Sequence, residues 1–395
     1  MSNNSPAPDR PIRVLCLLWS GGMGGAERHV VDLALALPRD RFSLTVCFFS
    51  HRGVYGDFLQ SNGVTVREMG LSGGADLRGI LRYVRWLRRS EFDIVHDHLS
   101  TPWARAVTAW VRPDWITFST EHTGLLLMGY SFTRRFWCRL GARYTSTTIA
   151  VSEAQRRALL RIIPGHAERI VVLPNVVDGD RFAPRSDGAR EDLARSLGLS
   201  AGASVLLSVG RLEHEKGFDR LLDLLLPVFQ RRPDAVLLIA GEGSLGAFLG
   251  REVERLGLRG RVHLLGARQD VPQLCDLCEV AVLASRCESF GIVAAEAMMA
   301  GRPVVGPRIP GLDEVVESGR TGTLVDPDRL EVEFPAAVDR LLGDAGTRRE
   351  MGQAGRRVAW DRFERRKVVA RIARLYEDAV AGRNRPRSGP AGSNS

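Results

Sequence analysis

Twice along this chain, short β-branched and aliphatic runs alternate with stretches of helical periodicity, first from Pro11 and again from Val205. Alternation of this kind builds βαβ units on a parallel sheet, and a restart means a second sheet with its own core. The runs predict first-half strands at Ile12–Trp19, Leu44–Ser50, Val64–Glu68, Ile94–His96, Trp115–Thr120, Thr148–Val151 and Ile170–Leu173. The second half predicts Val205–Val209, Val236–Ala240, Val262–Leu265, Val280–Leu283, Pro303–Gly306 and Gly322–Val325. Helices are expected at Ala26–Leu37, Leu77–Arg89, Phe218–Gln230, Leu245–Leu256 and Ile292–Ala300. Between the halves, Asp178 to Arg190 holds Pro184, Ser186 and Gly188 and reads as a linker. The expected fold class is α/β: two Rossmann-like parallel-sheet domains, 11–180 and 181–358, facing a central cleft. A helical segment, 359–381, follows. The Pro/Gly/Ser/Arg-rich segment 382–395 is expected to be disordered.

At 395 residues, each half is long enough to bury a core. No apolar run approaches the roughly 20 residues of a membrane span. Ile12–Trp19 follows a polar, proline-containing start and reads as a strand, not a signal peptide. Six cysteines are no disulfide framework in a chain this long, and the expected compartment is the cytoplasm. The net charge of +9 lies mostly in the first half, where residues 1–180 hold 22 arginines against 16 Asp and Glu. Two segments concentrate it. In Leu77–Arg89, an apolar stripe of Leu77, Ile80, Leu81, Val84 and Leu87 leaves Arg78, Arg82, Arg85 and Arg89 largely off it. Tyr130 to Arg143 interleaves Phe132, Phe136 and Trp137 with Arg134, Arg135, Arg139 and Arg143. Ordinary amphipathic helices with wet faces account for both segments. The sharper reading is a basic surface resting on the anionic inner face of the cell membrane. No nucleic-acid module accompanies the charge, so no nucleic-acid partner is expected.

The most informative motif is Glu288-Ser-Phe-Gly-Ile-Val-Ala-Ala-Glu296, followed by Gly301 and Pro303. Glu296 is the only charged group in a helix of Ala, Val, Ile and Met, and an ionised carboxylate there needs a partner. Its side chain leans toward the helix start, back toward Glu288. That start offers free N–H groups and a positive dipole end, which suits phosphate. The cluster can thus hold polyols by carboxylate and phosphate by backbone, and a nucleotide-sugar carries both groups. Gly210-Arg211-Leu-Glu-His-Glu-Lys216-Gly217 follows a predicted strand. Arg211 as a fork and Lys216 as a point charge can clamp a diphosphate, against the plainer reading of a solvated charged loop. Lys216 is one of only two lysines, with Lys367.

Gly21-Gly-Met-Gly24-Gly25-Ala-Glu27 opens the first helix; it is a phosphate or sugar approach, or a tight turn. It is not a dinucleotide fingerprint, because Glu27 stands at the third glycine position and no acidic residue ends the second strand. His96 and His98 share a strand face, but no third ligand is spaced to match, so no metal is expected. His122, after the next strand, either faces the cleft or packs as an ordinary histidine. Cys275 and Cys278 form a lone CxxC and read as small buried residues on a helix. Asp326-Pro-Asp328 reads as a turn and cap.

These residues resemble glycosyltransferase family 4, retaining enzymes of the GT-B fold. The likeness runs from about Ile12 to Tyr376. It rests on Glu288-x7-Glu296 with Ser289-Phe290-Gly291, and on Gly210-Arg211-Leu…Lys216-Gly217. Gly24-Gly25-Ala-Glu27, Glu121-His122, Pro174-Asn175…Asp178…Arg181-Phe182 and Gly241-Glu242-Gly243 support it. Val176 departs from the pattern, where relatives often place glycine.

The resemblance implies that Arg211 and Lys216 hold a donor diphosphate, Glu296 the ribose hydroxyls and Glu288 the hydroxyls of the transferred sugar. It implies that backbone N–H groups from Phe290 through Gly291 and Ile292 to Val293 meet sugar and phosphate, and that Ser289 belongs to the same donor loop. His122 faces the sugar, Gly24 and Gly25 close on the phosphates, and Glu27 meets the acceptor. The turn at Gly241 and Glu242, with the loop Gly266–Asp270, surrounds the base. The final helix crosses back to the first domain. Neither cofactor nor metal is implied. The partners are a UDP- or GDP-linked sugar and a hydroxyl acceptor: a glycan, a glycolipid or a lipid-linked intermediate. Competing readings are a sugar-nucleotide epimerase of the same architecture, a noncatalytic nucleotide-sugar binding protein and a nicotinamide oxidoreductase.

Overall fold

The computed structural model describes residues 10–22, 24–98, 103–122 and 132–384. Two parallel sheets organise it. The first contains β1 (Ile12–Leu18), β2 (Phe42–Phe48), β3 (Thr65–Glu68), β4 (Ile94–Asp97), β5 (Ile116–Glu121), β6 (Thr147–Ala150) and β7 (Ile170–Val172), in the order β3-β2-β1-β4-β5-β6-β7. The second contains β8 (Ser204–Val209), β9 (Ala235–Ala240), β10 (Val262–Leu264), β11 (Val280–Val282), β12 (Val304–Pro307) and β13 (Gly322–Val325), in the order β10-β9-β8-β11-β12-β13. In each sheet the strand order reverses once, between β1 and β4 and between β8 and β11. Loops leaving the carboxyl ends of strands at such a point line a crevice. The Gly21–Gly25, Gly210–Gly217 and Glu288 segments all leave strands that flank the two reversals.

Each predicted strand is present, because buried parallel strands read as near-continuous aliphatic runs. The helices needed more correction. The expected linker ends early: Ser186 caps Ala189 N and starts the helix Asp187–Ser196. The expected disordered segment 382–395 loses residues 382–384 to the last helix, Arg365–Asn384; its remainder lies outside the described residues. Of the segment Tyr130 to Arg143, the helix Phe132–Tyr144 is described, and Tyr130 and Ser131 lie outside the described residues.

The helix Leu77–Arg89 has its expected bounds but a different buried face. Gly79, Tyr83 and Leu87 face inward, while Leu77 and Leu81 are 74% and 63% exposed. Counting aliphatics missed the larger aromatic area. Tyr83 packs edge-on against Phe49, and its hydroxyl lies 2.7 Å from Thr108 Oγ1. Cys275 and Cys278 are buried free thiols at the end of the helix Val271–Leu277, as read. Among the described residues, no helix is long and apolar enough to cross a membrane.

The last helix belongs to the first domain's core. Val368, Val369, Ile372, Ala373 and Tyr376 pack with Val14, Cys16, Ile94 and Phe118. The two passages between domains touch: Val177 N donates to Phe363 O and Arg365 N to Val177 O, each at 2.9 Å. Beside them, Arg365 Nη1 meets Asp178 Oδ2 at 2.7 Å, and Arg28 forks onto Asp32 at 2.7 and 3.0 Å.

Candidate active site

On the second-domain side, Lys216 Nζ lies 2.8 Å from both carboxylate oxygens of Glu288. Ser285 Oγ donates to the same carboxylate at 2.8 Å. Glu288 is buried, whereas Lys216 keeps an exposed side. Arg211 is largely exposed and pairs with Glu215 at 2.7 Å. Both expected phosphate cations therefore hold carboxylates. The loops behind them are bound together. Leu212 N donates to Glu242 O, Ser244 N to Glu213 Oε1, Gly241 N to Gly266 O, and Ala267 N to Glu242 Oε1. Gly241, at φ +149°, is required here: a Cβ on it would sit 1.8 Å from Gly210 O.

Gly291, at φ +87°, starts the helix Ile292–Met299. Its first N–H groups have no intrahelical partner. Phe290 turns away into the core and stacks edge-on with Phe363. Gly25, on the first domain, stands opposite this start: a Cβ on it would contact Ile292 Cγ2 at 3.4 Å. Val293 and Glu296 are partly exposed on the next turn. Desolvation raises the Glu296 pKa to about 7, and Arg181 and Arg28 pull it the other way. Glu27 folds back over Gly24. Burial raises its pKa, eased by Arg211 across the cleft.

The first-domain wall is built from imidazoles. His122 Nδ1 lies 3.1 Å from Asn175 Oδ1, and His122 Nε2 lies 3.2 Å from His98 Nδ1. Burial lowers the His122 pKa to about 4 and that of His96 to about 3, with His98 and His29 also well below the ordinary value. These rings are neutral at neutral pH. Asn175 Oδ1 can only accept, so His122 carries its proton on Nδ1 and accepts on Nε2. His98 then donates from Nδ1. His29 Nδ1 accepts from Val176 N at 3.4 Å, which places its proton on Nε2. His98 Nε2 and His29 Nε2 are left buried without partners among the described residues, one an acceptor and one a donor.

The His96–His98 pair does not chelate. His96 is engaged on both nitrogens, by Tyr376 OH and by Thr120 Oγ1. Among the described residues, the group of metal-ligating type is His29, His98 and His122, with nitrogens within 4.8 Å of one another. The tautomers above spend the lone pairs of His122 Nε2 and His29 Nδ1 on hydrogen bonds and leave that of His98 Nε2 free.

The structure thus brings Gly24, Gly25, Glu27 and His122 to one wall and Arg211, Lys216, Glu288, Ser289, Gly291, Ile292 and Glu296 to the other, with Gly241 and Glu242 behind. Sequence reasoning missed His29 and His98 in this setting, because they come from different elements. Asn175 was quoted only within a motif, and its bond to His122 needed the fold.

Two facing Rossmann-like domains with a C-terminal helix returning to the first define the GT-B architecture. The pattern described as "Glycosyltransferase Family 4" matches residues 23–181, and that described as "Glycosyl transferases group 1" matches residues 189–358. The chain belongs to glycosyltransferase family 4 and is a glycosyltransferase.

Among its relatives is the D-inositol 3-phosphate glycosyltransferase of Corynebacterium diphtheriae, 24% identical over 91% of each chain. The alpha-D-kanosaminyltransferase of Streptomyces kanamyceticus is 30% identical over 54% of this chain and 56% of that protein. The structure of Anabaena Alr3699/HepE in complex with UDP and glucose superposes with a TM-score of 0.82. It is 27% identical and covers 93% of this chain and 100% of that one.

Proposed function

We propose that the enzyme transfers a sugar with retention from a UDP-sugar to a hydroxyl acceptor, without a metal; GDP-linked donors are the second choice. The carrying observation is the Lys216–Glu288 pair, held at 2.8 Å beside a helix start and opposite His122. Lys216 and Arg211 exchange their carboxylates for the donor diphosphate. Glu288 then accepts hydroxyls of the sugar, and Glu296 those of the ribose. The first N–H groups at Ile292 and Val293 meet a phosphate oxygen, and Gly24 and Gly25 close on it. Fixed donors aimed at developing negative charge supply the stabilisation that a metal gives elsewhere. The relative that supports UDP is Alr3699/HepE, which binds UDP and glucose.

The anomeric C–O bond to the β-phosphate breaks while the acceptor oxygen bonds from the same face. The acceptor's proton passes to the departing β-phosphate oxygen. Glu27, beside Gly24, faces the acceptor. The test is the product's anomeric configuration by NMR, with UDP-induced thermal stabilisation as its companion. A ligand at a hundred times its dissociation constant adds about 2.7 kcal/mol. An inverted product rejects the mechanism, and stabilisation by no nucleoside diphosphate rejects the donor assignment.

The acceptor is a glycan, a glycolipid or a lipid-linked intermediate, met at the inner face of the cell membrane. The observation favouring a membrane is that exposed Leu77 and Leu81 lie among Arg78, Arg82 and Arg85, with Trp110 72% exposed on a neighbouring helix. Sedimentation with anionic but not neutral vesicles supports this reading, and equal behaviour with both rejects it.

A further inference from the structure

We propose that Glu314 and Ser152 are positioning residues that latch the two domains together over the sugar-binding loop, an inference that rests on the donor reading above. Glu314 belongs to the second domain, in the short helix Leu312–Val315. Its carboxylate crosses to the first domain and accepts the backbone N–H groups of Glu153 and Ala154, each at 2.6 Å. Those are the opening amides of the helix Glu153–Ile162, where orphan donors and the positive dipole end favour an anion. A charged acceptor makes both bonds stronger than ordinary ones.

Ser152, the N-cap of that helix, also spans the seam. It accepts from Gln155 N at 3.1 Å and donates its own hydroxyl to Ser289 O at 2.6 Å. Ser289 Oγ returns the connection by donating to His122 O at 2.8 Å. Four hydrogen bonds therefore join the domains within a few residues of Glu288 and His122. None of them survives if the walls separate, because each has its two partners on different domains.

The latch is coupled mechanically to the donor loop. Gly311, which precedes the Glu314 helix, has φ +88°, and a Cβ there would lie 2.4 Å from Glu288 O. Leu312 Cδ1 lies 3.0 Å from where a Cβ on Gly291 would stand. The Glu314 helix is thus stacked on the backbone from Glu288 to Gly291. Holding it against the first domain fixes the loop's distance from His122. From behind, Arg362 Nη2 donates to Glu314 O at 2.8 Å. Arg211, Lys216 and Glu296 all belong to the second domain, so an opened seam costs the nucleotide only the approach of Gly24 and Gly25, and the latch governs turnover more than nucleotide affinity.

The experiment uses full-length Glu314→Ala, Glu314→Gln and Ser152→Ala. It reads ligand-free small-angle scattering, UDP affinity and turnover of UDP-glucose. Glu314→Ala is expected to scatter as a more open particle and to bind UDP within about twofold of wild type. Its turnover falls roughly 10- to 100-fold, the scale of losing two charge-assisted bonds in part. Glu314→Gln keeps one good acceptor and falls between. Wild-type scattering and turnover in Glu314→Ala overturn the proposal. So does a turnover loss matched by an equal loss of UDP binding with no opening. If Glu314→Ala fails to fold, Ser152→Ala is read in the same way. Failure of wild type to bind UDP rejects the donor reading alone, and scattering still decides the latch.

Discussion

The two walls of the cleft hold their polar groups in opposite ways. The second-domain wall carries full charges and pairs them: Lys216 with Glu288, Arg211 with Glu215, Arg286 with Asp219, Arg268 with Asp270. The first-domain wall carries none of its polarity as charge on its imidazoles. Burial keeps His29, His96, His98 and His122 neutral, and a chain of fixed tautomers orients them. Paired charges are exchangeable, since a diphosphate can take the cations while hydroxyls take the carboxylates. Neutral imidazoles give direction without net charge, which suits a sugar. The charged wall is therefore sensitive to pH and salt, and the neutral wall to geometry.

The sharpest way to break this contrast is to remove one member of a charged pair. Lys216→Ala should lower turnover about 100- to 1000-fold, the scale of losing a fixed group that meets developing charge. It should also cost roughly 3 kcal/mol in denaturant unfolding, because the buried Glu288 loses its counter-charge and keeps only the Ser285 hydroxyl. Adding Glu288→Gln should recover much of that stability and none of the turnover. Stability unchanged in Lys216→Ala would mean that the pair is not what holds the loop.

On the neutral wall, His122→Ala should lower turnover about 10- to 100-fold. With the His122 pKa at about 4, the turnover profile between pH 6 and 8 should carry no ionisation that this variant removes. A profile shift on that substitution would show that the imidazole titrates in the working range.

Smaller, and opposite in character, is the pH response of Glu296. Its folded pKa of about 7 exceeds the ordinary carboxylate value, so ionisation costs stability. Glu296→Gln should melt higher than wild type at pH 8. The gap should narrow below pH 7 and close near the ordinary carboxylate pKa. UDP affinity of wild type should rise more steeply from pH 6 to 8 than that of Glu296→Gln, whose remaining rise comes from the terminal phosphate of UDP itself, with its pKa of about 6. Equal slopes in the calorimetric affinities of the two proteins would remove Glu296 from ribose binding.

The smallest effect is expected at Arg211, which is exposed. Arg211→Ala should weaken UDP binding several-fold at low salt and less at high salt.

How much was legible in the sequence follows the same division. The strands were readable because both faces of a parallel strand are buried. The charged wall was readable because Lys216, Glu288 and Glu296 lie in two short segments of unusual composition. Of the neutral wall only His122 was readable as a site residue, because His29, His98, His122 and Asn175 come from one helix and three separate loops. Only the β1-β4-β5 pairing and the path of the chain after β7 bring them together. The Leu77–Arg89 helix failed for another reason: a count of aliphatic residues cannot weigh Tyr83 and Gly79, which set its rotation.

The returning helix carries a consequence for how the molecule is made. Ile372 and Tyr376 complete a core whose other members include Val14, Ile94 and Phe118. A ribosome delivers those early residues first and the closing helix last. The N-terminal domain therefore waits, with part of its apolar interior open, while the whole second domain emerges and can fold ahead of it. For this chain, order of synthesis and order of completion run in opposite directions.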